Sequence, residues 1–218
     1  MAFLPPQEGR ESYQCTVQKC ESTTCPESAS VCTATKGCFN EIQRFGTPSS
    51  ATNQMFKQKG CSKDTCSELE FSATLGAQRR FSFVNRCCTS DNCNKGDLTL
   101  PQASEEANGI QCLAYYEEPG TQSILSFLNC TGNETKCVAV IGTAAGSSHP
   151  FAFVIAGMGC ATESACNKSM TVLNSTNILT FCSSDLAWSS VPDSTGLRPA
   201  SISTVPMLIV LLLLKVLL

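Results

Sequence analysis

The side chains in this 218-residue sequence that could do chemistry are sixteen cysteines and a single histidine, His149. Thiols can act as nucleophiles, as metal ligands or as halves of disulfides, and their spacing separates the three. The densest stretch is Cys87-Cys88-Thr89-Ser90-Asp91-Asn92-Cys93-Asn94. An adjacent pair, four residues and then Cys-Asn fit the closing knot of a small stapled domain. One half-cystine ties off a loop and its neighbour makes a short local bridge. Zinc fits poorly, because no pair of C-x2-C hooks exists and only one histidine is present. The cysteine count is even, and a second, thinner set repeats the spacing, as a disulfide framework would. Such bridges persist outside the cytosol.

Other chemistry finds little support. The sequence has no GxSxG, no HExxH and no phosphate loop. His149 sits in Ser147-Ser148-His149-Pro150, a loop tip where solvent exposure is the expected state. Full pairing of the cysteines leaves no thiol nucleophile, so the expectation is a non-enzyme with no cofactor and no metal. The net charge of −3 is spread through the chain, with no basic stripe for nucleic acid or for an anionic membrane. Arg79-Arg80 and Lys57-Gln58-Lys59 make small basic spots, expected as solvated residues on finger tips. Phe81 and Phe83 alternate with Ser82, so one strand face is core and the other contact surface; the sequence leaves open which is which.

The elements that hold these residues follow from the cysteine gaps. Ten cysteines fall between residues 13 and 94, five of them crowded into Cys15–Cys38, and two long gaps follow, Phe39–Gly60 and Ser67–Arg86. Long cysteine-free loops rising from a dense cluster describe fingers held at a palm. In the second gap, Gly76-Ala77 offers a turn between Leu69–Leu75 and Arg79–Asn85, which predicts a hairpin. Gly46-Thr47-Pro48-Ser49-Ser50 is a turn-rich tip in the first. Lys95–Asn108 is polar and cysteine-free, as linkers are. Six cysteines then span 112 to 182, and Gly159-Cys160-x5-Cys166 echoes Gly60-Cys61-x4-Cys66. Lys136–Ile141 and Phe151–Ala156 form a second predicted hairpin. The pattern is an internal repeat of one small β fold. A unit of about 80 residues buries little apolar surface. Each bridge then contributes about 2–5 kcal/mol, mainly by restricting the unfolded chain.

These residues resemble the Ly6/uPAR three-finger family. The Cys87-Cys88-x4-Cys93-Asn94 ending carries the resemblance, which covers Tyr13 to Cys182. The two-part layout further resembles that of the gamma-type phospholipase A2 inhibitors and mammalian relatives such as the RoBo bone protein. There too a ten-cysteine domain precedes one with fewer, and a segment like Asn129–Val138 (NCTGNETKCV) opens the second domain's finger. The resemblance implies the pairs Cys15–Cys38, Cys20–Cys25, Cys32–Cys61, Cys66–Cys87 and Cys88–Cys93. For the second segment it implies Cys112–Cys137, Cys130–Cys160 and Cys166–Cys182. Two departures stand out: the second segment lacks the terminal knot and the short first-finger bridge, and Cys15-x4-Cys20 is wider than the family's usual spacing.

The ends carry their own signals. Met1–Gly9 has neither a basic start nor an apolar core, so residues 1–12 are expected as a leader lacking a recognisable signal peptide. An oxidised domain needs secretion, which points to an incomplete or alternative start. Val205–Leu218 is strongly apolar but, at 14 residues, shorter than the roughly 20 a membrane helix needs. Ser194-Thr195-Gly196, the polar spacer Leu197–Thr204 and this end match a glycosylphosphatidylinositol (GPI) attachment signal. Ser194 is the preferred anchor residue, with Asp193 and Ser190 behind it; Trp188 lies in the stalk before them. Glycosylation sequons occur at Asn129, Asn133, Asn167 and Asn174, all in the second cysteine-rich segment. Glycans there would leave the first segment as the freer binding face.

The expectation is an all-β, disulfide-rich chain with two three-finger domains, 13–95 and 110–183. A linker (96–109), a stalk with the attachment region (184–204) and the hydrophobic signal (205–218) complete it. The expected role is a GPI-anchored glycoprotein of the outer plasma-membrane leaflet, with a shed or secreted form, that binds an extracellular or cell-surface protein ligand. The resemblance supports an alternative, an inhibitor of secreted phospholipase A2. The anchor favours the first, since the gamma-type inhibitors are soluble circulating proteins.

Overall fold

Leu69-Glu70-Phe71-Ser72-Ala73-Thr74-Leu75 alternates apolar and polar residues without a break, the pattern of a strand with two unlike faces. The computed structural model describes residues 12–21, 25, 30–46, 54–76, 79–117, 124–144, 153–173 and 175–183, and this stretch is its strand β5 (Leu69–Leu75). The chain forms two compact units, Met1–Trp188 and Ser189–Leu218, and the described residues all belong to the first. No helix among them is long and apolar enough to cross a membrane.

The described residues are all-β apart from one 3-10 turn, Glu163–Ala165. In the first cysteine-rich segment, β1 (Tyr13–Cys20) pairs with β2 (Ser30–Ala34), β3 (Cys38–Gly46) with β4 (Gln54–Cys61), and β5 with β6 (Arg79–Cys88). In the second, β7 (Ala107–Glu117) pairs with β8 (Ser126–Thr131), β9 (Lys136–Ala144) with β10 (Phe153–Ala161), and β11 (Ser169–Val172) with β12 (Thr176–Cys182). Three antiparallel hairpins thus rise from each cysteine cluster. β10 runs five residues beyond the Phe151–Ala156 stretch expected from sequence, and those five residues matter most.

Cys15–Cys38, Cys20–Cys25, Cys32–Cys61, Cys66–Cys87 and Cys88–Cys93 staple the first segment. Cys112–Cys137, Cys130–Cys160 and Cys166–Cys182 staple the second. Cys15 and Cys38 are fully buried at one base, and Cys112, Cys130, Cys137 and Cys160 form a buried cluster at the other.

The strands join into one sheet, in the order β11-β12-β9-β10-β5-β6-β3-β4-β1-β2. The join is β10 against β5, with Gly159 opposite Leu75, Cys160 opposite Thr74 and Ala161 opposite Ala73. Earlier residues of β10, Ala156–Met158, pair with the end of β7 instead. At Met158 and Gly159 the strand therefore passes from a neighbour in its own segment to one in the other. Two glycines permit this. A β-carbon on Gly159 would stand 2.0 Å from the carbonyl oxygen of Thr74, and one on Gly76 (φ +49°) would stand 2.7 Å from Cβ of Tyr116. Only a residue without a side chain lets the two backbones approach so closely.

The largest apolar core lies across this seam rather than inside either segment. Phe71, Ala73, Leu75, Phe81 and Phe83 come from β5 and β6; Tyr116, Val138, Ala161, Ala165 and Val172 come from the second segment. A unit of either segment's size depends on its disulfides. The structure adds a shared core that neither segment could close alone.

Candidate functional site

The period of two along β5 sends Phe71, Ala73 and Leu75 to the shared core and Glu70, Ser72 and Thr74 to the opposite face. On that polar face lies a groove of about 670 Å³, lined by Ser72 and Arg80 of the first segment, Ser104 of the linker, and Asn108, Asn133 and Glu134 of the second. Glu134 is only 2% exposed. Its Oε1 accepts a hydrogen bond from Ser72 Oγ (2.7 Å) and lies 3.8 Å from Arg80 Nε. Arg80 in turn donates to Thr74 Oγ1 (3.2 Å) and Thr131 Oγ1 (3.3 Å). Asn108 Nδ2 donates to the carbonyls of Gly132 (2.9 Å) and Glu134 (3.0 Å). Burial pushes the Glu134 carboxyl above its usual range; the Ser72 and Thr74 hydroxyls and the Arg80 charge pull it the other way. The second carboxyl oxygen, Oε2, has no protein hydrogen-bond partner.

The apolar face holds a smaller cavity of about 230 Å³, lined by Phe45, Leu75 and Phe81 from the first segment and Tyr116, Ile155 and Ile178 from the second. Phe71 stacks on Phe83 (5.1 Å between centroids), and Phe45 tilts against Tyr116 (5.8 Å). The Arg79 guanidinium lies 4.3 Å from the Tyr116 ring centre. Gln43, fully buried, accepts the backbone N–H of Leu173 (2.8 Å) and donates to Glu41 Oε1 (2.7 Å). Desolvation raises the Glu41 carboxyl, with the Gln43 hydrogen bond opposing it.

The palm of the first segment is organised by Asn94. Its Nδ2 donates to the carbonyls of Thr16 (2.9 Å) and Phe39 (3.0 Å), with a longer contact to Gly60 (3.4 Å), and its Oδ1 accepts from Thr16 N (2.9 Å). One side chain thereby ties β1, β3 and β4 together, which explains an asparagine after the last cysteine. In the second segment, where no such asparagine follows, the Ser183 N–H donates to the Cys137 carbonyl (3.2 Å). Three sets of cysteine sulfurs lie close enough to hold a metal, namely those of Cys15, Cys32 and Cys61, of Cys38, Cys88 and Cys93, and of Cys112, Cys130 and Cys160. Every one of these sulfurs is in a disulfide and none of the sixteen cysteines is free, so no thiolate is available as ligand or nucleophile.

Several expected positions move. Arg79 and Arg80 are partly buried at the seam rather than solvated at a tip, because one covers Tyr116 and the other reaches Glu134. Lys59 is 5% exposed; its Nζ donates to the carbonyls of Lys95 (3.0 Å) and Gly96 (2.9 Å) and to Asp97 Oδ1 (2.7 Å). It clamps the start of the linker. Lys57 is half-buried in the same strand. Phe81 and Phe83 face the core, and Ser82 faces the groove. Asn129, Asn133 and Asn167 are exposed. His149, Asn174, Trp188, Ser190, Asp193 and Ser194 lie outside the described residues. Glu134 escapes sequence reasoning, since an acidic residue between a turn and a strand reads as surface. Three of the five exposed large apolar side chains among the described residues lie on the hairpin of β7 and β8, Ile124 (84% exposed), Leu125 (54%) and Phe127 (49%); Val31 on β2 and Leu179 on β12 are the others.

No protein-family model matches the chain. It is similar to Protein RoBo-1 of Rattus norvegicus, 41% identical over 174 residues that cover 79% of this chain and 71% of that one. The crystal structure of mouse TEX101 aligns with 81% of this chain and 99% of its own, at 14% identity and a TM-score of 0.40.

Proposed function

We propose, from the premise that the chain belongs to the Ly6/uPAR family, that it is a GPI-anchored, glycosylated surface protein that binds a protein ligand without catalysis. Members of the family are typically extracellular or cell-surface proteins. The observation that carries the reading is the complete pairing of sixteen cysteines into eight disulfides. Such a framework forms in the secretory route and leaves no thiol for chemistry. What it supplies is rigidity. Fingers held by staples lose little entropy when a partner orders them further, and loops on rigid scaffolds are where binding residues collect. We assign the contact surface to the hairpin of β7 and β8, in the second segment rather than on the first-segment face that the sequons alone favour, because Ile124, Leu125 and Phe127 are exposed together on this one finger. Exposed apolar side chains concentrated in this way mark interaction sites. Residues 13–95 and 110–183 serve as the two binding domains on this reading, and Ser194 carries the anchor.

One experiment tests both parts. The full chain is displayed on mammalian cells behind a secretory signal, and phosphatidylinositol-specific phospholipase C is added. The released protein is then offered to a panel of secreted phospholipases A2 and to ligand-bearing cells. Release and binding that is lost in Ile124→Asp are expected. Retention on the cell after verified enzyme activity removes the anchor, and binding unchanged in Ile124→Asp removes the assigned surface.

A further inference from the structure

The groove on the polar face of the seam has a wall that belongs to a glycosylation sequon. In Asn133-Glu134-Thr135, the first and third residues are exposed while the middle one is the buried Glu134. Asn133 lines the groove. The turn that carries it is held firmly. Gly132 N donates to the Glu106 carbonyl (2.9 Å), Glu134 N to the Thr131 carbonyl (3.1 Å), and Asn108 Nδ2 grips the Gly132 and Glu134 carbonyls. An attachment point fixed in this way gives a sugar chain a defined starting direction.

We propose that the groove is a cradle for the chain's own N-glycan, with the first sugars on Asn133 lying in the groove rather than in solvent. The inference rests on the glycosylated reading given above. The volume of about 670 Å³ lies inside the range of about 300–1,000 Å³ usual for ligand sites. The lining chemistry suits a sugar. Ser82 and Ser104 offer hydroxyls to sugar hydroxyls and the acetamido group, while Pro101 and Ala103 offer apolar surface to the C–H faces of the rings. Asn129 and Asn167, exposed as well, do not line the groove. Because the walls come from the first segment, the linker and the second segment, a glycan seated there spans the seam.

The test uses the full chain secreted from mammalian cells, with glycopeptide mass spectrometry at each site. Peptide N-glycosidase F is applied to the native protein and to the reduced, denatured protein. In the native protein the Asn133 glycan is expected to leave at least tenfold more slowly than the Asn167 glycan. The two rates become equal after denaturation. Ala103→Trp, which fills the groove from the linker side, is expected to speed native release at Asn133 alone. Hydrogen exchange over residues 101–108 is expected to rise in Asn133→Gln. Equal native release rates with unchanged exchange overturn the proposal, as does an empty Asn133 beside an occupied Asn167. An unglycosylated protein at every sequon overturns the glycoprotein reading itself, and the cradle with it.

Discussion

Gly159 lies so close to Thr74 that a β-carbon on the glycine would stand 2.0 Å from the Thr74 carbonyl oxygen and 3.0 Å from Cα of Leu75. Both neighbours are backbone, which cannot swing aside. Gly159→Ala therefore has to part β10 from β5 and open the core that Phe71, Leu75, Tyr116 and Val138 share. The expected cost is about 3 kcal/mol, the upper end for overpacking. Gly96→Ala, with nothing within 4 Å of the new β-carbon, is expected to change stability by no more than about 0.5 kcal/mol. Guanidinium unfolding with the disulfides intact measures both, and equal midpoints would mean that the seam does not limit stability.

Asn94 supplies a second test, because its donors and acceptor are not interchangeable. Asn94→Ala strands the Thr16 N–H and the carbonyls of Thr16 and Phe39, at about 1–3 kcal/mol for each buried group left unmet. Asn94→Asp keeps the shape but aims a carboxylate oxygen at those same carbonyls. The aspartate variant is expected to secrete more poorly than the alanine variant. Yields and unfolding midpoints of the pair check the order, and the reverse order would show that shape matters more than polarity here.

The hairpin of β5 and β6 was legible in the sequence because period-two patterning and a glycine turn are local signals. The seam was not. Gly157-Met158-Gly159 looks like a weak strand end, and only the opposite backbone shows why small residues are needed there. Lys59 and Arg80 misled for a related reason. A cation in a predicted finger reads as solvated, and only the fold brings the Lys95 and Gly96 carbonyls or the Glu134 carboxylate within reach. The polar groove could not be read because its walls are 62 residues apart in sequence, from Ser72 to Glu134.

Lys59 offers a prediction about the linker. Its ammonium has three donors, and all three are used, on Lys95 O, Gly96 O and Asp97 Oδ1. Lys59→Met keeps the buried stem and removes the charge. Hydrogen bonds to charged groups contribute about 1.5–3 kcal/mol, so the variant is expected to lose stability on that scale. Amide exchange over residues 97–100 is expected to accelerate. The Lys59 hydrogen bond and charge hold the Asp97 carboxyl below its ordinary value of 3.8, and in the variant it returns toward it. Carboxyl titration by NMR reads the change, and an unmoved Asp97 would remove Lys59 as the clamp.

The buried Glu134 and half-buried Glu41 carboxyls set a pH dependence opposite to that of Asp97. Burial raises both Glu41 and Glu134 above 4.5, so the folded chain takes up their protons at a higher pH than the unfolded chain does. Where the folded state binds more protons, stability falls as pH rises. Their contribution is therefore most favourable below 4.5 and declines as pH climbs through their folded values. Between pH 7 and about 4.5 these two groups raise the thermal midpoint as acid is added, whereas Asp97 withdraws stability only as pH falls below 3.8. Glu134→Gln and Glu41→Gln are each expected to flatten the rise, because a neutral amide has no charged form to desolvate. Thermal midpoints across this range, in wild type and both variants, check the sign. A wild-type midpoint that falls on acidification with the same slope in Glu134→Gln would show that the seam carboxylate is not what the pH acts on.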